Sequence, residues 1–328
     1  MAATRRDFIT QSIATTGAIG AIALTEGDAF AAEQKSRAEG ALPMRVLGRT
    51  KERVTLLGIG LAPLGSDKTS FQEAESVVQS AIDQGIRYVD VSPDYGNAEA
   101  KLKGVMKTQR SRVFLVTKVN PDRQDRLGVQ KQLEESLARM GVDSVDAVHI
   151  HNLGDFDMAK LFTADGAIAG LKEARKRGLL RFIGTSGHMR PPRFVTAIEA
   201  GDIDLTMNAL NFADRNNYAF EDLVLPAARK HGTGIVAMKV LGGAKDWKYD
   251  GQTKATLAEH HEHAIRYSLG LPGVACAVIG FNNAEEIRQA IVVARNFKPL
   301  SAAEKAALLQ TGKQLATARG LYYGPVTG

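Results

Sequence analysis

From Met44 onward, short apolar runs rich in β-branched residues alternate with stretches whose apolar positions recur every three to four residues. The apolar runs predict strands at Thr55–Gly60, Arg87–Ser92, Val113–Val119, Val145–His151, Arg181–Ser186, Leu205–Leu210, Gly234–Val240 and Val274–Gly280. Strands separated by amphipathic helices pair in parallel through helical crossovers, and eight is the number that closes a barrel. The expected fold class is therefore α/β, a (β/α)8 TIM barrel. An open doubly wound sheet is the competing architecture; Gly58-Ile59-Gly60 followed by Leu61-Ala62-Pro63 is a poor version of the phosphate loop it would bring.

The helical stretches carry their own start and stop signals. Ser70 and Glu73 form a capping box, Ala74, Val77, Val78, Ala81 and Ile82 share one face, and Gly85 ends the helix. Val129, Leu133 and Leu137 lead to Gly141, Ile168, Leu171 and Ala174 to Gly178, and Phe194, Val195 and Ile198 to Gly201. Further helices are expected at Glu221–His231, Leu257–Leu269 and Asn283–Arg295, with an extra C-terminal helix at Ala302–Thr317 capped by Ser301 and Glu304. Met44–Leu47 and Arg53–Leu56 flank Gly48-Arg49-Thr50-Lys51, an N-terminal β-hairpin suited to plugging the barrel floor.

Composition narrows the class further. The chain has 328 residues, 44% apolar and 24% charged, which suits one large globular domain over residues 44–328. Its net charge of +6 is scattered rather than gathered into basic runs, so it speaks for solubility and no nucleic acid partner is expected. A single cysteine, Cys276, excludes an internal disulfide framework, a Cys-ligated zinc and an iron–sulfur cluster.

The first 31 residues look like an address. Thr4-Arg5-Arg6-Asp7-Phe8-Ile9-Thr10 precedes a weakly apolar stretch from Ile13 to Leu24 and a small-x-small pattern at Ala29-Phe30-Ala31. The paired arginines resemble the twin-arginine export motif, with Thr10 departing from its frequent lysine. That implies residues 1–31 as a signal peptide, 32–43 as a linker, the twin-arginine export machinery as a partner and a periplasmic location. The stretch is too short and too weakly apolar for a permanent membrane anchor.

In such barrels the working residues stand at the C-terminal ends of strands. The second strand ends with Asp90 and is followed at once by Tyr95, the third ends with Lys118, and the fourth with His151. A tyrosine, whose ordinary pKa is about 10, needs a nearby cation to exchange a proton at neutral pH, and Lys118 is that cation. Asp90 would hold the ammonium, His151 would orient a substrate carbonyl and share in proton movement, and Tyr95 would be the general acid. His149 shares the face of His151 and is expected to pack in the core below the site. The run Glu259-His260-His261-Glu262-His263 lacks the spacing of a helical zinc site, and no metal is expected.

These four residues, in this order, resemble the catalytic tetrad of the aldo/keto reductase superfamily. The likeness runs from about Met44 to Ala318 and includes Val46-Leu47-Gly48-Arg49-Thr50, Val89 to Glu99, Leu133 to Asp146 and Ser268 to Val274. It implies a nicotinamide cofactor, and its cofactor positions carry over one by one. Ser186 matches a serine on the nicotinamide amide, and Asn208 stands where a glutamine commonly serves the same amide. Met238, followed by Lys239, takes the place of an aromatic ring packed on nicotinamide. Gly280, Asn282, Asn283 and Glu286 resemble the loop and helix start that grip the adenosine phosphate. Gly60 would offer only its backbone. NADPH is favoured over NADH, with Glu286 weighing against it and Arg288 a candidate rescue of a phosphate contact. The implied protein is a monomeric or weakly associating oxidoreductase acting on an aldehyde, ketone or sugar carbonyl, or on the matching alcohol. The rival readings are a nicotinamide-binding sensor or accessory subunit with little turnover, and a metal-dependent sugar isomerase, which would need more carboxylates and histidines on the rim.

Overall fold

A two-stranded antiparallel hairpin, β1 (Met44–Val46) and β2 (Arg53–Thr55), precedes eight parallel strands in a computed structural model that describes residues 41–249 and 253–327. These are β3 (Leu57–Gly60), β4 (Tyr88–Asp90), β5 (Phe114–Val119), β6 (Val145–Ile150), β7 (Leu180–Gly187), β8 (Leu205–Ala209), β9 (Gly234–Met238) and β10 (Val274–Gly280). They close into a barrel in sequence order, with β10 completing the ring on β3 through Gly280 opposite Gly60. The expected export segment, and residues 32–40 of the expected linker, lie outside the described residues.

The barrel closes because each strand is buried on both faces, one toward the lumen and one toward the helices. In the lower lumen Tyr88 stacks on Phe114 with centroids 5.5 Å apart, Phe114 stacks on Phe182 at 6.1 Å, and Leu205, Val236 and Cys276 complete the plug. The hairpin supplies Leu47 and Val54 to the same cluster. Gly48, at φ +50°, lets the hairpin turn press on β9: a side chain there would collide with the backbone of Gly234.

Outside, the helices follow the expected caps. The helix α1 (Phe71–Asp83) has its Ser70/Glu73 capping box and buries the five apolar residues of its expected face. Besides a single turn at Met158–Leu161, one helix has no counterpart among the expected elements: α2 (Ala98–Gln109), which buries Glu99 and Lys101 beside Leu102, Val105 and Met106. The segment expected as a helix at Glu221–His231 begins as a π-turn, Phe220–Val224, and becomes α3 (Leu225–Lys230) only around Pro226, whose missing N–H breaks the regular ladder. Beyond β10 come α4 (Ala284–Arg295) and the extra helix α5 (Ala302–Arg319), two residues longer than expected. Among the described residues, no helix is long and apolar enough to cross a membrane.

Candidate active site

The ends of β4, β5 and β6 bring Asp90, Lys118 and His151 to one rim, and the loop after β4 folds Tyr95 over them. Lys118 is fully buried; its Nζ donates to Asp90 Oδ1 at 2.6 Å and to the carbonyl of Val91 at 2.8 Å. The same ammonium lies 4.7 Å from the centroid of the Tyr95 ring, and that ring meets His151 edge-on at 6.0 Å. Gly65 makes the placement of Tyr95 possible, since a side chain there would collide with the Tyr95 carbonyl, and its own carbonyl accepts from Asn97 N at 3.0 Å. Sequence reasoning did not reach Gly65, because the contact that requires it is thirty residues away.

Burial pushes the Asp90 carboxyl up and the Lys118 ammonium down, while their contact at 2.6 Å works against both displacements. Burial, then the charges of Asp90, Tyr249 and Asp94, push the Tyr95 phenol well above its ordinary value of 10. The expected acidifying influence of Lys118 is thus outweighed here, and the phenol is a protonated donor at neutral pH. Burial also holds His151 below its ordinary range, with Lys118 adding to the effect and Asp94 opposing it. His149 is fully buried beneath, with neither ring nitrogen hydrogen-bonded, and is held neutral by burial and by Lys118.

A cavity of about 660 Å³ opens from Tyr95 and Asp90 across the barrel mouth to Asn283. Of the expected cofactor residues, Gly60, Met238, Lys239, Gly280, Asn282, Asn283 and Glu286 line it. Ser186 is the register partner of Met207, which also lines the cavity, and its hydroxyl is buried with no hydrogen-bond partner. Asn208 requires a correction. Successive strand residues face opposite ways, so with Met207 toward the cavity Asn208 points to the helix layer, where its Oδ1 accepts from Thr206 Oγ1 at 3.0 Å. Met207, one position earlier, is the residue of this strand that lines the cavity.

At the start of α4 the Asn283 side chain caps the helix, accepting from Glu285 N and Glu286 N at 3.0 Å. Glu286 reaches back to accept from Asn282 N at 2.8 Å and from Asn282 Nδ2 at 3.2 Å. Donors expected to grip a phosphate therefore already hold a carboxylate. Arg288 pairs with Glu285, not with this loop. Lys239 adopts a left-handed backbone at φ +53° and places Nζ 4.7 Å over Trp247 and 4.9 Å over Tyr249, whose hydroxyl it also contacts. Burial, with the charge of Lys118, brings this ammonium down to about 7.

The C-terminal tail packs on the loops after β7 and β9. Tyr323 stacks on His188 at 5.1 Å and donates to the buried Asp214 at 2.9 Å; Tyr322 lies flat on Trp247 at 5.5 Å. Arg319 Nε stands 3.1 Å from Asp214 Oδ1, an ion pair whose angle is poor for a hydrogen bond. Among the described residues, no group of three or more histidines, cysteines and carboxylates is placed to hold a metal.

The model of the aldo/keto reductase family matches residues 56–263. The chain is 23% identical over 322 residues to L-galactose dehydrogenase of Arabidopsis thaliana, covering 86% of this chain and 98% of that protein. It is 25% identical over 315 residues to pyridoxal 4-dehydrogenase of Microbacterium luteolum, covering 76% and 92%. The solved structure of an aldo-keto reductase from Klebsiella pneumoniae in complex with NADPH matches with a TM-score of 0.66 at 20% identity, over 81% of this chain and 94% of that one. At that identity the likeness is one of fold.

Proposed function

The chain belongs to the aldo/keto reductase family, and from that premise we propose that it moves a hydride between NADPH and an aldehyde, ketone or sugar carbonyl, or between the matching alcohol and NADP⁺. The observation that carries this reading is the buried Asp90–Lys118 pair under the Tyr95 ring, beside a cavity of about 660 Å³ lined by both Asp90 and Tyr95.

The residues present fit such a cofactor. The orphaned Ser186 hydroxyl suits a carboxamide, Met238 offers a polarizable face, and Lys239 lines the cavity with an amine whose protonated form a pyrophosphate would favour. The NADPH complex of the Klebsiella pneumoniae protein favours NADPH here too. A nicotinamide held there supplies the hydride donor or acceptor. The protonated Tyr95 hydroxyl donates to the substrate oxygen, where negative charge grows as a carbonyl is reduced, and Lys118 stabilises the phenolate left behind. Asp90 keeps the ammonium in place.

The two relatives are named for L-galactose and for pyridoxal, so both belong in a substrate panel. The test follows reduced-cofactor absorbance with the full chain, NADPH or NADH, and a set of aldehydes, ketones and sugars, with the reverse assay on alcohols. Turnover with at least one pair is expected. Saturable cofactor binding without turnover anywhere in the panel would shift the reading to a sensor or accessory subunit, and absence of cofactor binding would overturn it.

A further inference from the structure

A second cavity, of about 280 Å³, adjoins the first along Tyr95, and Ala62 and Tyr249 also line both. Three loops enclose it: the loop after β3 supplies Ser66 and Asp67, the loop after β4 supplies Asp94 and Tyr95, and the loop after β9 supplies Trp247 and Tyr249. Ligand pockets run from roughly 300 to 1,000 Å³, so this one suits a compact substrate.

Its charged lining is of one sign. Asp67 and Asp94 face it, and among the described residues no lysine, arginine or histidine lines it. An amide holds each carboxylate in place: Asn97 Nδ2 donates to Asp67 Oδ1 at 2.8 Å, and Asn120 Nδ2 donates to Asp94 Oδ1. Asp94 Oδ2 stands 3.2 Å from His151 Nδ1, and that contact holds the carboxyl below its usual range, so it is ionised at neutral pH. A carboxylate has about four lone-pair sites, so both groups keep acceptor capacity. Two ammoniums stand close to these walls without lining the cavity. Lys101 donates to the carbonyls of Leu64 and Ser66 at 2.9 and 2.7 Å, and Lys239, which lines the larger cavity, lies 4.7 Å over the Trp247 ring.

We propose that the second cavity is the substrate site and that Asp67 and Asp94 select a neutral, hydroxyl-rich carbonyl compound such as an aldose, or its alcohol, over an anionic one. The proposal rests on the nicotinamide reading above and narrows its substrate. Tyr95 belongs to both cavities, so a molecule seated in the second meets the phenol that exchanges the proton. A hydroxyl group gives a carboxylate a charge-assisted hydrogen bond. A carboxylate on the substrate instead sets lone pairs against lone pairs and like charge against like charge. An alkyl aldehyde displaces water from Asp67 and Asp94 and returns no donor. Trp247, 44% exposed and held by Tyr322 lying flat on it at 5.5 Å, offers apolar surface to the C–H groups of the same substrate.

The test compares kcat/KM of the full chain on matched substrates. Galactose with galacturonate and glucose with glucuronate differ in a CH₂OH against a carboxylate; glyceraldehyde with propanal differs only in hydroxyl groups. The neutral sugar is expected to exceed its uronate by about 10-fold, a modest ratio because both carboxylates are exposed to water. Glyceraldehyde should exceed propanal by about 10-fold. Glucosamine should fall within about 3-fold of glucose, because Lys101 and Lys239 offset the attraction a cation would feel. Asp67→Asn keeps an acceptor for Asn97 and removes the charge, so it should lower the sugar-to-uronate ratio to about 3-fold and leave the glyceraldehyde-to-propanal ratio within about 2-fold. Equal rates within the neutral and anionic pairs, propanal matching glyceraldehyde, a marked preference for glucosamine, or turnover confined to carbonyl compounds without hydroxyl groups would each overturn the proposal.

A second readout needs no turnover. Trp247 is the only tryptophan of the chain, so its emission reports this cavity directly. With NADP⁺ present, galactose or glucose should change that emission saturably, and the uronates should do so at about 10-fold higher concentration. No saturable response to any sugar, or equal responses to sugar and uronate, contradicts the assignment. A wild type inactive with every substrate would sink the nicotinamide reading and leave the titration to decide the cavity's preference.

Discussion

At the scale of single residues, Glu286 sets the sharpest constraint on the cofactor. Its carboxylate occupies the amides of Asn282 that a 2′-phosphate would seek, and Arg288, the candidate rescue, is paired with Glu285. A phosphate arriving here meets a negative charge. Removing that charge while keeping the hydrogen-bonding shape, as in Glu286→Gln, should tighten NADPH by about 5-fold and leave NADH nearly unchanged. Fluorescence titration of both cofactors checks this; equal effects on the two would show that Glu286 does not face the phosphate. The tetrad was legible as residue types because strand ends repeat their positions along the chain. Asn208 was not placed correctly, because period-2 alternation turns a one-residue error into the opposite face, and the Met207-Asn208 pair offers no pattern to decide it. The contacts of Asp94 and Asn120 with His151 were invisible for another reason: they arise where separate segments meet, and neither residue type is distinctive alone.

Among the elements, the strands were the easiest to read, since nearly all their residues are buried and each carries a short apolar, often β-branched core between helical stretches. The helix Ala98–Gln109 was not readable in this way. Its inner face includes Glu99 and Lys101, whose charges are satisfied only by distant partners: Glu99 by Thr117 and Arg139 at 2.7 Å each, and Lys101 by the carbonyls of Leu64 and Ser66 at 2.9 and 2.7 Å. A polar position on a buried face breaks the 3.6-residue pattern, and sequence alone cannot supply its partner. The helix has a use beyond filling the ring. Lys101 ties it to the loop after β3 and Glu99 ties it to β5, so it anchors the segment that carries Tyr95. The π-turn at Phe220–Val224 went unread because Pro226 sits where a regular helix would need its N–H.

For the molecule as a whole, the barrel is stable enough to carry an unsatisfied group at its centre. His149 is buried without a hydrogen-bond partner and neutral, so folding must suppress its protonation. Its folded pKa lies well below the ordinary 6.5, and the stability it leaves intact above pH 6.5 is lost as pH falls toward the folded value. His149→Leu should therefore stabilise the fold by about 1 kcal/mol at neutral pH and flatten the decline in Tm below it. An unchanged acid limb in thermal melts would mean that another group governs the decline.

The reading of this barrel as a nicotinamide oxidoreductase depends most on the phenol at its mouth, protonated and seated over a buried ammonium. Comparing wild type with Tyr95→Phe measures that directly, through kcat and cofactor Kd for the best substrate of the panel. The expected result is a fall in kcat of about 100-fold or more with cofactor Kd within about 2-fold, since the hydroxyl acts where charge develops and not in holding the cofactor. Equal turnover in the two proteins would contradict it.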